Sequence, residues 1–465
     1  MRLGPLLGPD IKQILEEDPD QVRQLIEELQ VHPEDIADIL AELDPETATK
    51  VLTTLPADEA APIFERLEEH EQEEFATQMT AESVARIASE MEPDDRADLF
   101  STLPEEIGEK VFRNLERVDA EAAEEVREIE KYPDTAAGHL MTTKWVSVPP
   151  TVTVAGALDA VRAFVAENPD SPVYNVYIMS KDERMMGLAS LRELVASDPT
   201  TRVIDMARTN VISVPPDMDQ EEVARRMAKY DLAAMPVLDS AGKLLGVITI
   251  DDIIDVLTQE QTEDVQKIGG VEPLDVPYFQ TSFVEFIKKR GVWLVILFVE
   301  EFFTQTALRY YDPVFEAVKG ASYYVPLLIS TGGNSGSQSS TLIIRGLAIG
   351  EIRPRDWWRI AAREAAMGLV LGAILGTIGF FRVLMYRDQH VDFALTVACT
   401  LVGIVMTGCT VGSMLPLGLK RLGIDPATSS TPFIASLVDV LGIIIFVNVA
   451  KIVMAHVIAM GPLPH

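Results

Sequence analysis

Apolar and polar positions change rhythm three times along the chain. Residues 1–130 keep a helical period that is interrupted every dozen or so residues by proline: Asp18-Pro19, His32-Pro33, Asp44-Pro45, Leu55-Pro56, Glu92-Pro93 and Leu103-Pro104. Proline suits a first helical turn, where its missing N–H has no partner to lose, so this spacing predicts short helices in series. The segment ADILAELDPETATKVLTTLP (37–56) returns 48 residues later as ARIASEMEPDDRADLFSTLP (85–104), with Phe64 and Phe112 also in register. An all-α superhelix of stacked hairpins is expected.

From 131 to 257 the period shortens to that of strands alternating with helices. VSVPP (146–150) recurs as ISVPP (212–216), and each copy is followed by an amphipathic helix, a strand, a turn, a second strand and another helix. The offset is about 66 residues at the start of the unit and 59 at Gly187 and Gly246, which predicts a short insertion near NPDSPVYN in the first copy. The last of these helices continues through 252–287 as a connecting segment, polar nearly all round after Leu257. Such a helix must bridge domains or be bathed in ions.

Beyond 288 the pattern is almost wholly apolar, with spans near 291–308, 313–348, 360–385, 393–418 and 431–460, long enough for a membrane domain of five helices. STGGNSGSQSS, inside the second span, is expected to break its helix, which at membrane depth marks either a pathway or close helix packing through small residues. Lys288, Lys289, Arg290, Arg345, Arg353, Arg355, Arg359, Arg363, Lys420 and Arg421 flank one side. Together with Trp357 and Trp358 they predict a cytoplasmic N-terminal part and, after five crossings, a C-terminus outside.

Charge separates the halves further. The chain carries −33 overall, yet 281–465 holds 12 acidic against 15 basic residues, and residues 1–140 alone hold 38 acids against 12 bases. So acidic a soluble surface repels nucleic acid and collects cations. Cys399 and Cys409 have neither the spacing nor the histidine partners of a zinc site or disulfide framework. The opening MRLGPLLGPD lacks the long apolar core and cleavage site of a signal peptide.

Three places carry candidate chemistry. Asp439 sits alone in the last apolar span. A charge there costs roughly 2.5–3.5 kcal/mol on insertion scales, so it is expected to face protein or a wet pathway, as a cation site or as a partner for Lys451. Asp94, Asp95 and Asp98 share the start of a helix; Asp94 and Asp98 lie on one face and could reach one cation, although acids in a first turn also complement the helix dipole. Asp251, Asp252 and Asp255, followed by Glu260, Glu263 and Asp264, line the connecting helix. Glu300 and Glu301 interrupt the first span without evident purpose, and Glu364 reads as an interfacial charge.

SVPP, MPVLD (235–239) and GVITIDD (246–252) resemble a tandem pair of cystathionine β-synthase (CBS) domains, which implies regulation of a neighbouring domain and an adenine nucleotide as candidate ligand. GGNSGSQSSTLIIR (332–345), LKRLGIDPA (419–427) and PFIASLVDVLG (432–442), with the domain order, resemble the MgtE family of magnesium channels over essentially the whole chain. That resemblance implies a homodimer in the cell inner membrane, with Mg²⁺ as both cargo and regulator. It points to Asp439 and the Ala435 carbonyl at the pore, Asp425 near its inner mouth, and Asn334 and Gly336 beside it. It assigns sensing roles to Asp94, Asp98, Asp219, Glu221, Asp231, Asp252, Asp255, Glu260, Glu263 and Asp264. The chain departs from the family at Glu300-Glu301, where the first span is usually uncharged, and at TSST (428–431). A CBS-regulated secondary transporter of another divalent cation or an osmolyte is the alternative. An enzyme is disfavoured, since no HExxH, P-loop or GxSxG motif occurs.

Overall fold

The computed structural model describes residues 32–169, 171–274, 276, 278–279, 281–318, 320–386, 390–428 and 431–455. The Asp18-Pro19 helix start, the N-terminal decapeptide and the end of the last apolar span lie outside them. The chain divides into two units, 1–258 and 259–465.

Among the described residues the first unit begins with eight helices: α1 (Pro33–Ala41), α2 (Pro45–Thr54), α3 (Ala57–Phe64), α4 (Glu69–Gln78), α5 (Ala81–Glu90), α6 (Pro93–Thr102), α7 (Glu105–Val118) and α8 (Ala120–Ile129). Pro33, Pro45 and Pro93 occupy first turns, and Asp44 caps α2 by accepting from the Thr47 N–H at 3.1 Å. Each helix packs against the one two places further along, α1 on α3 through to α6 on α8. One continuous core results, running from Ile36 through Phe64, Phe75 and Leu99 to Val126. That is the stacking the 48-residue repeat predicts.

The second part of this unit holds two copies of one pattern. In the first, β1 (Val146–Val148) pairs parallel with β2 (Asn175–Met179), which pairs antiparallel with β3 (Met185–Ser190); α9 (Val154–Glu167) and the short α10 (Leu191–Ala196) and α11 (Val203–Met206) accompany them. In the second, α12 (Gln220–Tyr230) precedes the antiparallel pair β4 (Ala234–Leu238) and β5 (Leu244–Thr249), and a single parallel bridge from Val214 to Val237 stands where β1 stood. Both copies carry a register shift at the same place, Ile178/Met179 and Val237/Leu238. The duplication therefore extends to backbone detail. Helix α13 (Ile250–Ile268) follows, and the boundary between the units falls inside it.

The second unit consists of α14 (Phe283–Tyr310), the short α15 (Asp312–Ala317), α16 (Val325–Ala348), α17 (Trp357–Leu384), α18 (Val391–Arg421) and α19 (Thr431–Val453). Among the described residues four segments, 283–310, 354–384, 391–421 and 431–453, are long and apolar enough to cross a membrane. At 24 residues α16 is long enough but less apolar, so the bundle has four to five such helices.

Contrary to expectation, STGGNSGSQSS does not break α16; the helix runs unbroken through it. Its hydroxyls find partners without unwinding, Thr331 donating to the Leu327 carbonyl at 2.6 Å and Ser335 to that of Gly332 at 2.9 Å. Its glycines let other helices approach. A Cβ on Gly332 would collide with Ile404 and Val438, and one on Gly336 would crowd Ile434 and the Gly408 carbonyl. Three further glycines spaced four apart on α17, Gly368, Gly372 and Gly376, press on the α18 backbone at Met406, Val402 and Ala398. In an apolar medium such contact replaces the hydrophobic effect as the source of helix association.

The tightest of these contacts yields a test. A Cβ on Gly412 would lie 2.1 Å from the Gly336 carbonyl, whereas one on Gly418 would meet nothing within 4 Å. Gly412→Ala should cost about 1–3 kcal/mol of overpacking. Gly418→Ala should be neutral or stabilising through helix propensity. Unfolding midpoints in detergent check this, and equal midpoints would contradict the α16–α18 packing.

Candidate metal sites

Two acidic regions stand out, one in each unit. In the first, the start of α6 faces the start of α13 across a cleft of about 800 Å³ lined by Glu65, Glu92, Asp94, Asp95, Asp98, Asp251, Asp252 and Asp255 among others. Helix caps explain the placement: Pro93 opens α6 with Asp94 and Asp95 in its first turn, while Thr249, ending β5, donates its hydroxyl to Asp251 and, at 2.8 Å, to Asp252. Glu65 accepts from the Glu92 N–H at 2.6 Å, and Lys144 stands 3.7 Å from Glu92.

Burial and mutual repulsion strain these carboxylates. Burial raises Asp252 to about 7, with the Asp251 charge adding to it. Burial likewise raises Glu65 to about 7, against a hydrogen bond from the Glu92 backbone that pulls the other way. Asp94 and Asp95 are pushed well above the ordinary carboxylate range, by burial first and then by Asp252 opposite Asp94 and by Glu65 and Asp252 near Asp95. Asp94 Oδ1 is enclosed without a hydrogen-bond partner. The donors are almost all carboxylate oxygens, the ligand type of Mg²⁺ rather than of zinc or copper. Among the described residues no three His, Cys, Asp or Glu side chains close on a single point. That suits an ion keeping most of its water and touching one or two carboxylates at a time.

Asp98 is turned elsewhere. It holds His139 Nε2 at 2.8 Å, and His139 is 2% exposed. Burial works against the His139 charge, but the Asp98 bond and the Asp98 and Asp134 charges outweigh it and raise its pKa. Asp219, Glu221 and Asp231 are not gathered into the cleft: Asp219 caps α12, Glu221 pairs with Arg225, and Asp231 ends the same helix in the left-handed conformation. Eleven residues of helix separate Asp219 from Asp231.

In the second unit Lys267 holds Glu263 at 2.9 Å and Asp425 at 3.1 Å. The two acids raise its pKa although burial works the other way. Glu260 and Asp264 lie beside Glu263 on α13.

Asp439 lies half-buried midway along α19, with Ala435 one turn before it. Helix α16 packs closely at Ala435, since a Cβ on Gly333 would lie 3.1 Å from the Ala435 Cβ. Among the described residues no basic side chain pairs with Asp439; Lys451 instead lies over the Tyr311 ring at 5.5 Å. Of the residues expected beside it, Asn334 is exposed on α16, while Gly336 is buried between α18 and α19 as a packing residue. Glu364 is no simple interfacial charge: it accepts from Ser339 of α16 at 2.6 Å.

Comparison with known proteins agrees with this layout. A family described as "Divalent cation transporter", MgtE, matches residues 325–449, the MgtE intracellular N domain matches 31–135, and a CBS domain matches 203–259. The chain is 38% identical over 453 residues to the magnesium transporter MgtE of Thermus thermophilus, covering 97% of this chain and 99% of that one. The chain belongs to the MgtE family. The magnesium transporter MgtE of Enterococcus faecalis is 31% identical, over 72% of this chain and 73% of that protein. The crystal structure of the soluble part of a magnesium transporter matches with a TM-score of 0.50 at 30% identity, covering 54% of this chain and 97% of that one.

Sequence reasoning missed Glu65, Glu92, Thr249 and His139. Glu65 and Glu92 lie 27 residues apart at helix ends and meet only through the stacking of hairpins. No local pattern marks them.

The raised carboxylates set a pH dependence. Their protons are held more tightly in the folded than in the unfolded chain, so the stability of the first unit should fall as pH rises from about 4 to about 7 without divalent ions. Glu65→Gln with Asp252→Asn should flatten that fall, and millimolar Mg²⁺ should reduce it. Proteolysis rates of the full chain in chelator across this pH range check it. A slope unchanged by the double variant would contradict the assignment.

Proposed function

We propose that this chain imports Mg²⁺ into the cytoplasm through the cell inner membrane, as a homodimer with its soluble domains cytoplasmic and its C-terminus outside. The observation that carries this reading is Asp439, a membrane-depth carboxylate with no basic partner among the described residues. Two copies across a twofold axis, each with its Ala435 carbonyl, offer a hydrated Mg²⁺ a few oxygen ligands and no tight cage. Asn334 on α16 and Asp425 at the cytoplasmic end extend the lining. The relatives named magnesium transporters support the cargo.

Gating follows from the cleft. At low internal Mg²⁺ its carboxylates repel and favour separation; when the ion is plentiful it bridges Asp94 and Asp95 to Asp252 and Asp255, which stabilises a closed arrangement. Glu260, Glu263 and Asp264 on α13 extend that sensing along the connecting helix, with Asp98, Asp219, Glu221 and Asp231 as outer members. A nucleotide site accompanies it: Lys144, Trp145, Phe164, Tyr174 and Thr249 line a small cavity that must widen to admit the adenine nucleotide a CBS pair takes.

Two outcomes test the proposal. Asp439→Asn should abolish Mg²⁺-dependent rescue of a transport-deficient cell while leaving oligomer size unchanged; undiminished rescue rules the pore assignment out. Separately, millimolar Mg²⁺ should protect residues 252–268 and the N-terminal helices from protease. That protection should vanish when Asp252, Asp255 and Asp264 are neutralised together; equal cleavage of the unmutated chain with and without the ion removes the sensor.

A further inference from the structure

Glu300 and Glu301 stand on α14, the first helix of the second unit, and α14 packs chiefly against α19. The packing brings both acids within electrostatic reach of Asp439: the charges of Glu301 and Asp439 act on Glu300, and that of Glu301 acts on Asp439. The packing of α14 on α19 thus puts Glu300 within electrostatic reach of Asp439, while Glu301 lies exposed on α14. Repulsion alone does not make a ligand site, but two further observations point inward.

The first is Glu300 Oε2, which is enclosed and makes no hydrogen bond. The second is Thr304, one turn further on the same face. It is 6% exposed and, among the described residues of α14, it alone is buried. Its hydroxyl also has no partner. Several threonines of these helices donate to the carbonyl one turn back, Thr306 to Phe302 at 2.6 Å, Thr331 to Leu327 at 2.6 Å, Thr377 to Ala373 at 2.8 Å and Thr410 to Met406 at 2.8 Å. Thr304, like Thr400 of α18, does not. A buried hydroxyl and an enclosed carboxylate oxygen, both unspent and one turn apart, thus lie on the helix that packs against that of Asp439, and leaving such groups unsatisfied in an apolar surrounding is costly.

We propose that Glu300, with the Thr304 hydroxyl, is a second ligand group of the ion pathway that works with Asp439 and sets which divalent cation the chain prefers. It rests on the reading of Asp439 as the pore carboxylate. A second carboxylate beside the first draws more strongly on a cation and rewards one that sheds water readily. Mg²⁺ dehydrates reluctantly and keeps few direct protein ligands; Ca²⁺ accepts six to eight oxygens in flexible geometry. The pair therefore raises divalent affinity and shifts preference toward the more easily dehydrated ion.

The test uses the full chain reconstituted in liposomes, with uptake of Mg²⁺ and of Ca²⁺ each measured against concentration. Glu300→Gln should raise the half-saturating concentration of both ions by about tenfold, as expected for loss of one charged ligand, and should raise it more for Ca²⁺ than for Mg²⁺. Thr304→Val, which keeps the shape, should shift both in the same direction by less, while Thr306→Val should shift neither. Unaltered half-saturation in both Glu300→Gln and Thr304→Val, with Asp439→Asn inactive in the same liposomes, overturns this inference and leaves the pore reading standing. Uptake that survives Asp439→Asn overturns both.

Discussion

A carboxylate removed from water needs a positive partner, and this chain repeatedly withholds one. In the cleft of the first unit, the first turn of α6 and the start of α13 present Asp94, Asp95, Asp251 and Asp252 to each other, while the cations there, Arg66 and Lys144, lie on Glu65 and Glu92. Desolvation and repulsion act in the same direction there, and each favours neutralising the group. A proton answers for one charge. A divalent cation answers for two and also holds together the surfaces that carry them. The contrast inside the same unit is Arg96, 1% exposed, which donates to the carbonyls of Ala88, Met91 and Ala122 and pairs with Glu125 at 2.8 Å. Where the fold needs a buried charge for its own integrity, it supplies the counter-charge and every hydrogen bond. The cleft acids are arranged otherwise: Asp94 Oδ1 is enclosed with no partner.

The membrane half applies the same constraint in a harsher solvent. Glycines on α16, α17 and α18 bring backbones into contact, so the helices associate without filling the space with large side chains. That closeness sets Ala435 against Gly333 of α16, and it gives small polar residues of α16 partners on neighbouring helices, as with Ser339 and Glu364.

How much of this could be read in advance depended on the range of the signal. Repeats were legible because they are written twice: the 48-residue period and the duplicated strand pair specify hairpins and CBS-like units down to a shared register shift. Asp439 was legible because a lone acid in an apolar span has few explanations. The run STGGNSGSQSS misled, since glycine's weak helix propensity is a local term and the packing that overrides it belongs to Ile404, Val438 and Gly408, far away in sequence. Glu65 and Glu92 were invisible for the same reason. Glu300 and Glu301 were visible as oddities, yet only the packing of α14 on α19 gives them a neighbour to act on.

At several of the candidate acids the fold already supplies a partner, which favours a divalent ion elsewhere. Lys267 already lies between Glu263 and Asp425, and His139 already holds Asp98. An ion arriving at either must displace a tethered group whose effective concentration far exceeds its own. Asp94, Asp95, Asp252 and Asp255 have no such resident competitor among the described residues, and Asp94 Oδ1 has no partner at all. Binding energy is greatest where the ion relieves repulsion without first breaking an ion pair. The cleft between α6 and α13 is therefore where the lowest ion concentration should act, and the lysine-bridged acids should respond only at a higher one.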